Sequence, residues 1–167
     1  MSNNLAQCLV AGLIQRGETL SCAESCTGGL LSASLTAVPG SSSVFWGGWV
    51  TYDNDAKITQ LDVPPQLIQQ DGAVSAGVAK AMAWGARVRS GSDHSIAITG
   101  IAGPGGGSEE KPVGTVWIAW CSQNARVQAK KFHFQGDRTA VRDQSVFYAL
   151  DELLQTLGIP KSNISGA

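Results

Sequence analysis

Helical stripes and short β-forming runs alternate along the whole chain, with no linker and no internal repeat between them. Leu5, Leu9 and Leu13, with Val10 and Ile14 beside them, fall at helical spacing and end near Gly17. A buried strand is expected over 19–24, then a helix over about 26–37 that Pro39 and Gly40 stop. A second strand covers 43–52, where Gly47 and Gly48 indicate a bulge or a close approach. Ser75 is suited to cap a helix over 75–88. Strands follow at 94–100 and 113–120, the second forming a hairpin with 125–134. Asp137 can start a last helix whose stripe is Val146, Leu150, Leu153 and Leu157, ending at Gly158 and Pro160. This order predicts one α/β domain with helices on both faces of a mixed sheet.

Composition narrows the partners. At 167 residues the chain can bury a core without metal or disulfide support. A net charge of -1 offers no electrostatic footprint for nucleic acid or an anionic membrane. No apolar run is long enough to span a bilayer. The opening "MSNNLAQCLV" lacks the basic and then apolar order of a secretory leader, so a cytoplasmic address is expected. Cys8, Cys22, Cys26 and Cys121 form no C-x-x-C pair, and with only His94 and His133 no zinc set assembles. Neither a metal nor a cofactor is expected. Cys8, Cys22 and Cys121 read as small core residues, as do most of the five tryptophans.

Three places stand out for chemistry. Ser25-Cys26-Thr27-Gly28-Gly29 lies between a strand and a helix. Ser25 or Thr27 either caps that helix, or the unpaired N–H groups there bind an anion or oxyanion. Tyr52, Asn54 and Lys57 sit at or just past a strand end. Lysines are mostly solvated, but a desolvated Lys57 would have a lowered pKa and act as a general base, with Tyr52 relaying a proton. The third place, "GIAGPGGGSEEKPVG", reads as a ligand loop. It is not a Walker loop, because G-K-[ST] is missing, nor a Rossmann fingerprint, because a strand follows it.

In order, "AESCTGG", Tyr52-x-Asn54-x-x-Lys57, "GAVS" at 72–75, "TGIAGPGGGSEEKPVGTVW" and "GDR" at 136–138 resemble the CinA C-terminal domain family from about residue 5 to 157. The resemblance implies a three-layer α/β/α sandwich around a mixed, mostly parallel sheet, in a stand-alone domain over 1–167 with a flexible tail at 159–167. It also implies a metal-free amidohydrolase of pyridine-nucleotide recycling, which converts nicotinamide mononucleotide (NMN) to nicotinic acid mononucleotide and ammonia. Ser25 would be the nucleophile, with Lys57 and Tyr52 as its partners. Cys26, Thr27, Gly28, Asn54, Thr99, Gly100, Gly105, Gly106 and Arg138 would bind the substrate, with the glycine loop and Arg138 on its phosphate. The partner is then this small molecule, with no nucleic acid and no membrane, and a homo-oligomer stays open.

Two rivals are weighed. A non-catalytic nucleotide-binding paralogue would be free to lose Ser25, Tyr52 or Lys57, and this chain keeps all three. A thiol enzyme would use Cys26 in place of Ser25. A DNA-related role ranks last, for want of a basic patch.

Overall fold

The computed structural model describes residues 2–123 and 126–161. Helix α1 (Ser2–Arg16) leads into β1 (Leu20–Glu24), α2 (Leu30–Thr36) and β2 (Phe45–Val50). Helices α3 (Asn54–Leu61), α4 (Pro65–Asp71) and α5 (Ala76–Ser90) follow, then β3 (His94–Gly100). The chain continues through β4 (Thr115–Ser122) and β5 (Gln128–His133) to α6 (Arg138–Leu157). The strands form one sheet in the order β2-β1-β3-β4-β5. Strands β1, β2 and β3 pair in parallel, β4 runs against β3, and β5 runs against β4. Four strands therefore share one direction and β4 alone is reversed, which makes the sheet mixed.

Side-chain alternation along the strands sorts the core into two halves. Cys22, Ile96, Ile98, Val116 and Ile118 face a cluster built with α1, α2 and α6. Their neighbours Ala23, Ala97, Ala119 and Cys121 face the other way, onto α5 and the end of α3. Small residues on that face match Ala79, Ala83 and Ala86 on the inner side of α5, so helix and sheet approach closely. The result is the expected three-layer sandwich. Cys8, Cys22 and Cys121 are buried and free, as expected.

The caps at Ser75 and Asp137 are present: each side chain accepts from a backbone N–H of its helix. In β2 both expectations for the glycines hold. The register shifts against β1 between Leu20 and Ser21, next to Gly47 at φ 147°. At Gly48 an added Cβ would lie 2.5 Å from the Cys22 sulfur and 2.9 Å from the Ser32 hydroxyl, so α2 leaves no room for a side chain.

Some expectations need correction. Helix α2 begins at Leu30, not near 26, because Gly28 and Gly29 adopt φ 58° and 99° ahead of it. Helix α4 was not foreseen. Trp46 and Trp84 are 56% and 52% exposed, so two of the tryptophans are surface residues. Ile159 is buried in the larger cluster, against Gly12. The rest of the expected tail, residues 162–167, and the first residue of the expected 125–134 strand lie outside the described residues.

The parallel strands β1, β2 and β3 deliver Glu24, Val50 and Gly100 to one side of the sheet. Reversed β4 starts on that side, where Val116 pairs with Gly100, and β5 ends there, opposite Thr115. The carboxyl ends of parallel strands are where open α/β sheets bind ligands.

Candidate active site

Ser25 follows the last residue of β1, and its N–H donates to the Ile98 carbonyl at 2.9 Å. The Gly28 N–H returns to the Ser25 carbonyl at 3.1 Å, closing a β-turn over Cys26 and Thr27. The φ of 58° at Gly28 is one that side chains avoid, which explains the glycine there. Among the described residues, the N–H groups of Cys26 and Thr27 donate to no protein acceptor. Of the two residues, Cys26 lines the cavity that Ser25 opens into, while Thr27 is fully buried.

Neither Ser25 nor Thr27 caps α2, contrary to one expectation. The cap is Glu24, a fully buried carboxylate at the end of the strand. One of its oxygens accepts from the N–H groups of Gly29 and Leu31, at 3.1 and 3.0 Å. The other accepts from the Ser32 N–H at 2.9 Å and the Ser32 hydroxyl at 2.8 Å. The negative charge is held by the orphan donors and dipole of the helix start. That helix end is therefore occupied by the chain's own carboxylate, and the free donors are those of the turn.

Lys57 lies on α3, which Asp53 caps by accepting from the Asp55 N–H. Its side chain is only 1% exposed. Nζ donates to the Ser25 hydroxyl at 3.2 Å, and to the carbonyls of Thr51 at 2.8 Å and Tyr52 at 3.2 Å. A longer contact of 3.4 Å reaches the Asp53 carbonyl. Burial pushes the Lys57 pKa down, while Asp53 and Cys26 work against that shift. The solvated lysine that residue statistics favour is overturned here. In the neutral amine, two N–H groups serve the Thr51 and Tyr52 carbonyls, and the lone pair is left to face Ser25.

Ser25 and Lys57 open into a cavity of about 280 Å³. Cys26, Tyr52, Asn54, Thr99, Gly100, Gly105, Gly106 and Arg138, all singled out in the sequence, line it. Thr27 and Gly28 are not in its wall. Ala73, Val74, Ile101, Ala102 and Gly103 also line it and were missed, although "GAVS" and the glycine loop had been singled out. The Thr99 hydroxyl ties the two segments together by donating to the Ala73 carbonyl at 2.9 Å. Tyr52 is 59% exposed, and its phenol oxygen accepts from Arg138 at 2.7 Å. Arg138 also donates to the Gly103 carbonyl at 2.8 Å, joining the glycine loop to α6. The permanently charged group in the wall is Arg138, and among the described residues no carboxylate lines it. Such a wall suits an anionic ligand.

Cys26 is buried, and burial pushes its thiol up to about 11, with the nearby Arg138 and Arg142 charges opposing. A thiol held there is protonated at neutral pH and a poor nucleophile. Among the described residues, no three His, Cys, Asp or Glu side chains cluster as metal ligands. No described helix is long and apolar enough to cross a membrane.

The family model of the CinA C-terminal domain matches residues 2–157. A CinA-like protein of Citrifermentans bemidjiense is 54% identical over 145 residues, 87% of this chain and 35% of that protein. The chain thus spans about a third of the length of the CinA-like relatives that it matches. The nicotinamide-nucleotide amidohydrolase PncC of Pseudomonas putida is 53% identical over 133 residues, 80% of this chain and 82% of that protein. Among solved structures, the competence/damage inducible protein CihA of Agrobacterium tumefaciens superposes with a TM-score of 0.90 at 42% identity, covering 92% of this chain and 94% of that one.

Proposed function

Because this chain belongs to the CinA C-terminal domain family, we propose that it hydrolyses the carboxamide of NMN, with Ser25 as the nucleophile and Lys57 as the general base. The observation that carries the reading is the buried Lys57 amine, 3.2 Å from the Ser25 hydroxyl. A lysine taken out of water in this way loses its proton at lower pH than usual, which makes its lone pair available for general-base chemistry. The similarity to the Pseudomonas putida amidohydrolase supports the choice of substrate.

The Ser25 oxygen attacks the carboxamide carbon and its proton passes to Lys57 Nζ. The carbonyl electron pair moves onto oxygen, and the proposed donors to it are the free N–H groups of the turn, whose Cys26 lines the cavity. Each such donor typically contributes about 10²–10³ in rate. When the intermediate collapses, the C–N bond breaks and the proton leaves with the nitrogen as ammonia. Tyr52 is the proposed relay: its oxygen accepts from Arg138, which leaves its own hydrogen free to donate. Water then adds to the acyl-enzyme, giving a proton to Lys57, and nicotinic acid mononucleotide departs as Ser25 is reprotonated. Arg138 and the glycine loop are the proposed phosphate ligands, and Asn54 is a proposed substrate contact.

The direct test is ammonia release from NMN in the presence of EDTA. Release that persists with the chelator is expected. A wild-type protein that binds NMN without releasing ammonia would instead favour the non-catalytic module. The pH profile gives a second prediction. Only the neutral Lys57 amine can take the Ser25 proton, so kcat/KM should rise with pH through an apparent pKa below 10.5, the ordinary lysine value. A profile that falls as pH rises through neutrality would rule out a neutral lysine base.

A further inference from the structure

We infer that Arg142 is a positioning residue for the nucleophile turn, holding its free N–H groups on the reacting carbonyl; the inference rests on the hydrolase reading above. Arg142 lies one helical turn beyond Arg138 on α6 and is half-buried, yet it is not part of the cavity wall. Its guanidinium donates to the Thr27 carbonyl at 2.8 Å. A charged donor makes a stronger bond than a neutral one. The Leu30 N–H reaches the same oxygen at 3.2 Å.

The Thr27–Gly28 peptide is thereby pinned at both ends. Its carbonyl is held by Arg142 and Leu30, and its N–H by the Ser25 carbonyl. With that plane fixed, the N–H groups of Cys26 and Thr27 keep one direction. The turn has little stiffness of its own, since Gly28 and Gly29 are adjacent and both at positive φ. Glu24 anchors it only from Gly29 onward, and Lys57 bonds to no turn residue but Ser25 among the described residues. Among the described residues, Arg142 is the one side chain that hydrogen-bonds the backbone of residues 26–28. It acts through the turn, not on the substrate.

The experiment compares wild type, Arg142→Met and Arg142→Lys. Methionine keeps an apolar stem and removes the donor. The kcat for NMN in Arg142→Met should fall about 10- to 100-fold with KM little changed, the signature of a misaligned transition-state contact. Added guanidinium ion should restore part of kcat, Arg142→Lys should retain more than Arg142→Met, and the apparent pKa of the pH profile should stay that of the wild type. An unchanged kcat overturns the inference. So does a rise in KM alone, which would make Arg142 a substrate ligand, and so does a loss that follows unfolding and resists rescue. One readout needs no turnover: the amide ¹H and ¹⁵N shifts of Cys26, Thr27 and Gly28 should move in Arg142→Met while those of β5 do not. Unmoved turn amides overturn the inference. Moved amides in a wild-type protein that releases no ammonia support it and count against the hydrolase reading alone.

Discussion

Ser25→Ala should remove NMN hydrolysis by about four to six orders of magnitude, and Lys57→Met should cost nearly as much. The two groups form one unit, joined at 3.2 Å in a site that excludes water from the amine. Once either is lost, the other has no task left. The double variant should therefore be little worse than either single one, whereas independent contributions would multiply. Cys26→Ala should keep activity within about tenfold of wild type, since its thiol is held protonated and only its backbone N–H, unaffected by the change, meets the substrate in this mechanism. Folding must be checked in Lys57→Met, because the Thr51 and Tyr52 carbonyls lose their donor there. Measurable acyl-enzyme in Ser25→Ala, or a loss of activity confined to Cys26→Ala, would move the nucleophile off Ser25.

Glu24→Gln should lower stability by about 3 kcal/mol, or about 6–12 °C in Tm for a domain of this length. The change is nearly isosteric, so the loss isolates hydrogen bonding. One carboxylate oxygen accepts two N–H groups, the other accepts an N–H, a hydroxyl and the Cys22 thiol, and a glutamine has only one oxygen. Whichever way the amide is turned, its NH₂ group meets at least one backbone N–H it cannot accept from, that of Ser32 or those of Gly29 and Leu31. The start of α2 is then left with buried N–H groups unpaired and no charge against its dipole. Thermal denaturation of the two proteins settles the point: a shift of under a degree would mean that the carboxylate is not what holds this helix.

Much of the architecture was legible because it rests on local patterns. The caps at Ser75 and Asp137 act on residues three positions ahead, within the reach of any sequence motif. Glu24 was missed because its bonds run five, seven and eight positions forward, over two glycines, to a helix that starts later than its apolar run suggests. Lys57 was legible as a candidate, but the burial that supports its proposed role as base was not, since it depends on α3 bringing Nζ to Ser25 just past the end of β1. Arg142 gave no signal at all, since its partner lies 115 residues away. The cavity wall was largely read in advance, because Ser25, Tyr52 and Gly100 stand at or just past strand ends and Lys57 and the glycine loop follow closely after two of them. Ala73 and Val74 were not, for apolar residues advertise no chemistry.

The reversal of β4 alone has a consequence for how the protein comes into being. Ser25 and Lys57, the proposed catalytic pair, are 32 positions apart, Arg138 meets Tyr52 across 86, and Arg142 meets Thr27 across 115. Such contacts reward the chain only after its long loops have closed, and parallel pairing with a terminal helix closes them late. No early hairpin or helix pair contains a working fragment of the site. During refolding, recovery of catalysis should therefore trail the recovery of helical signal, and it reports the moment when the first strand, its two parallel neighbours and the last helix are all in register.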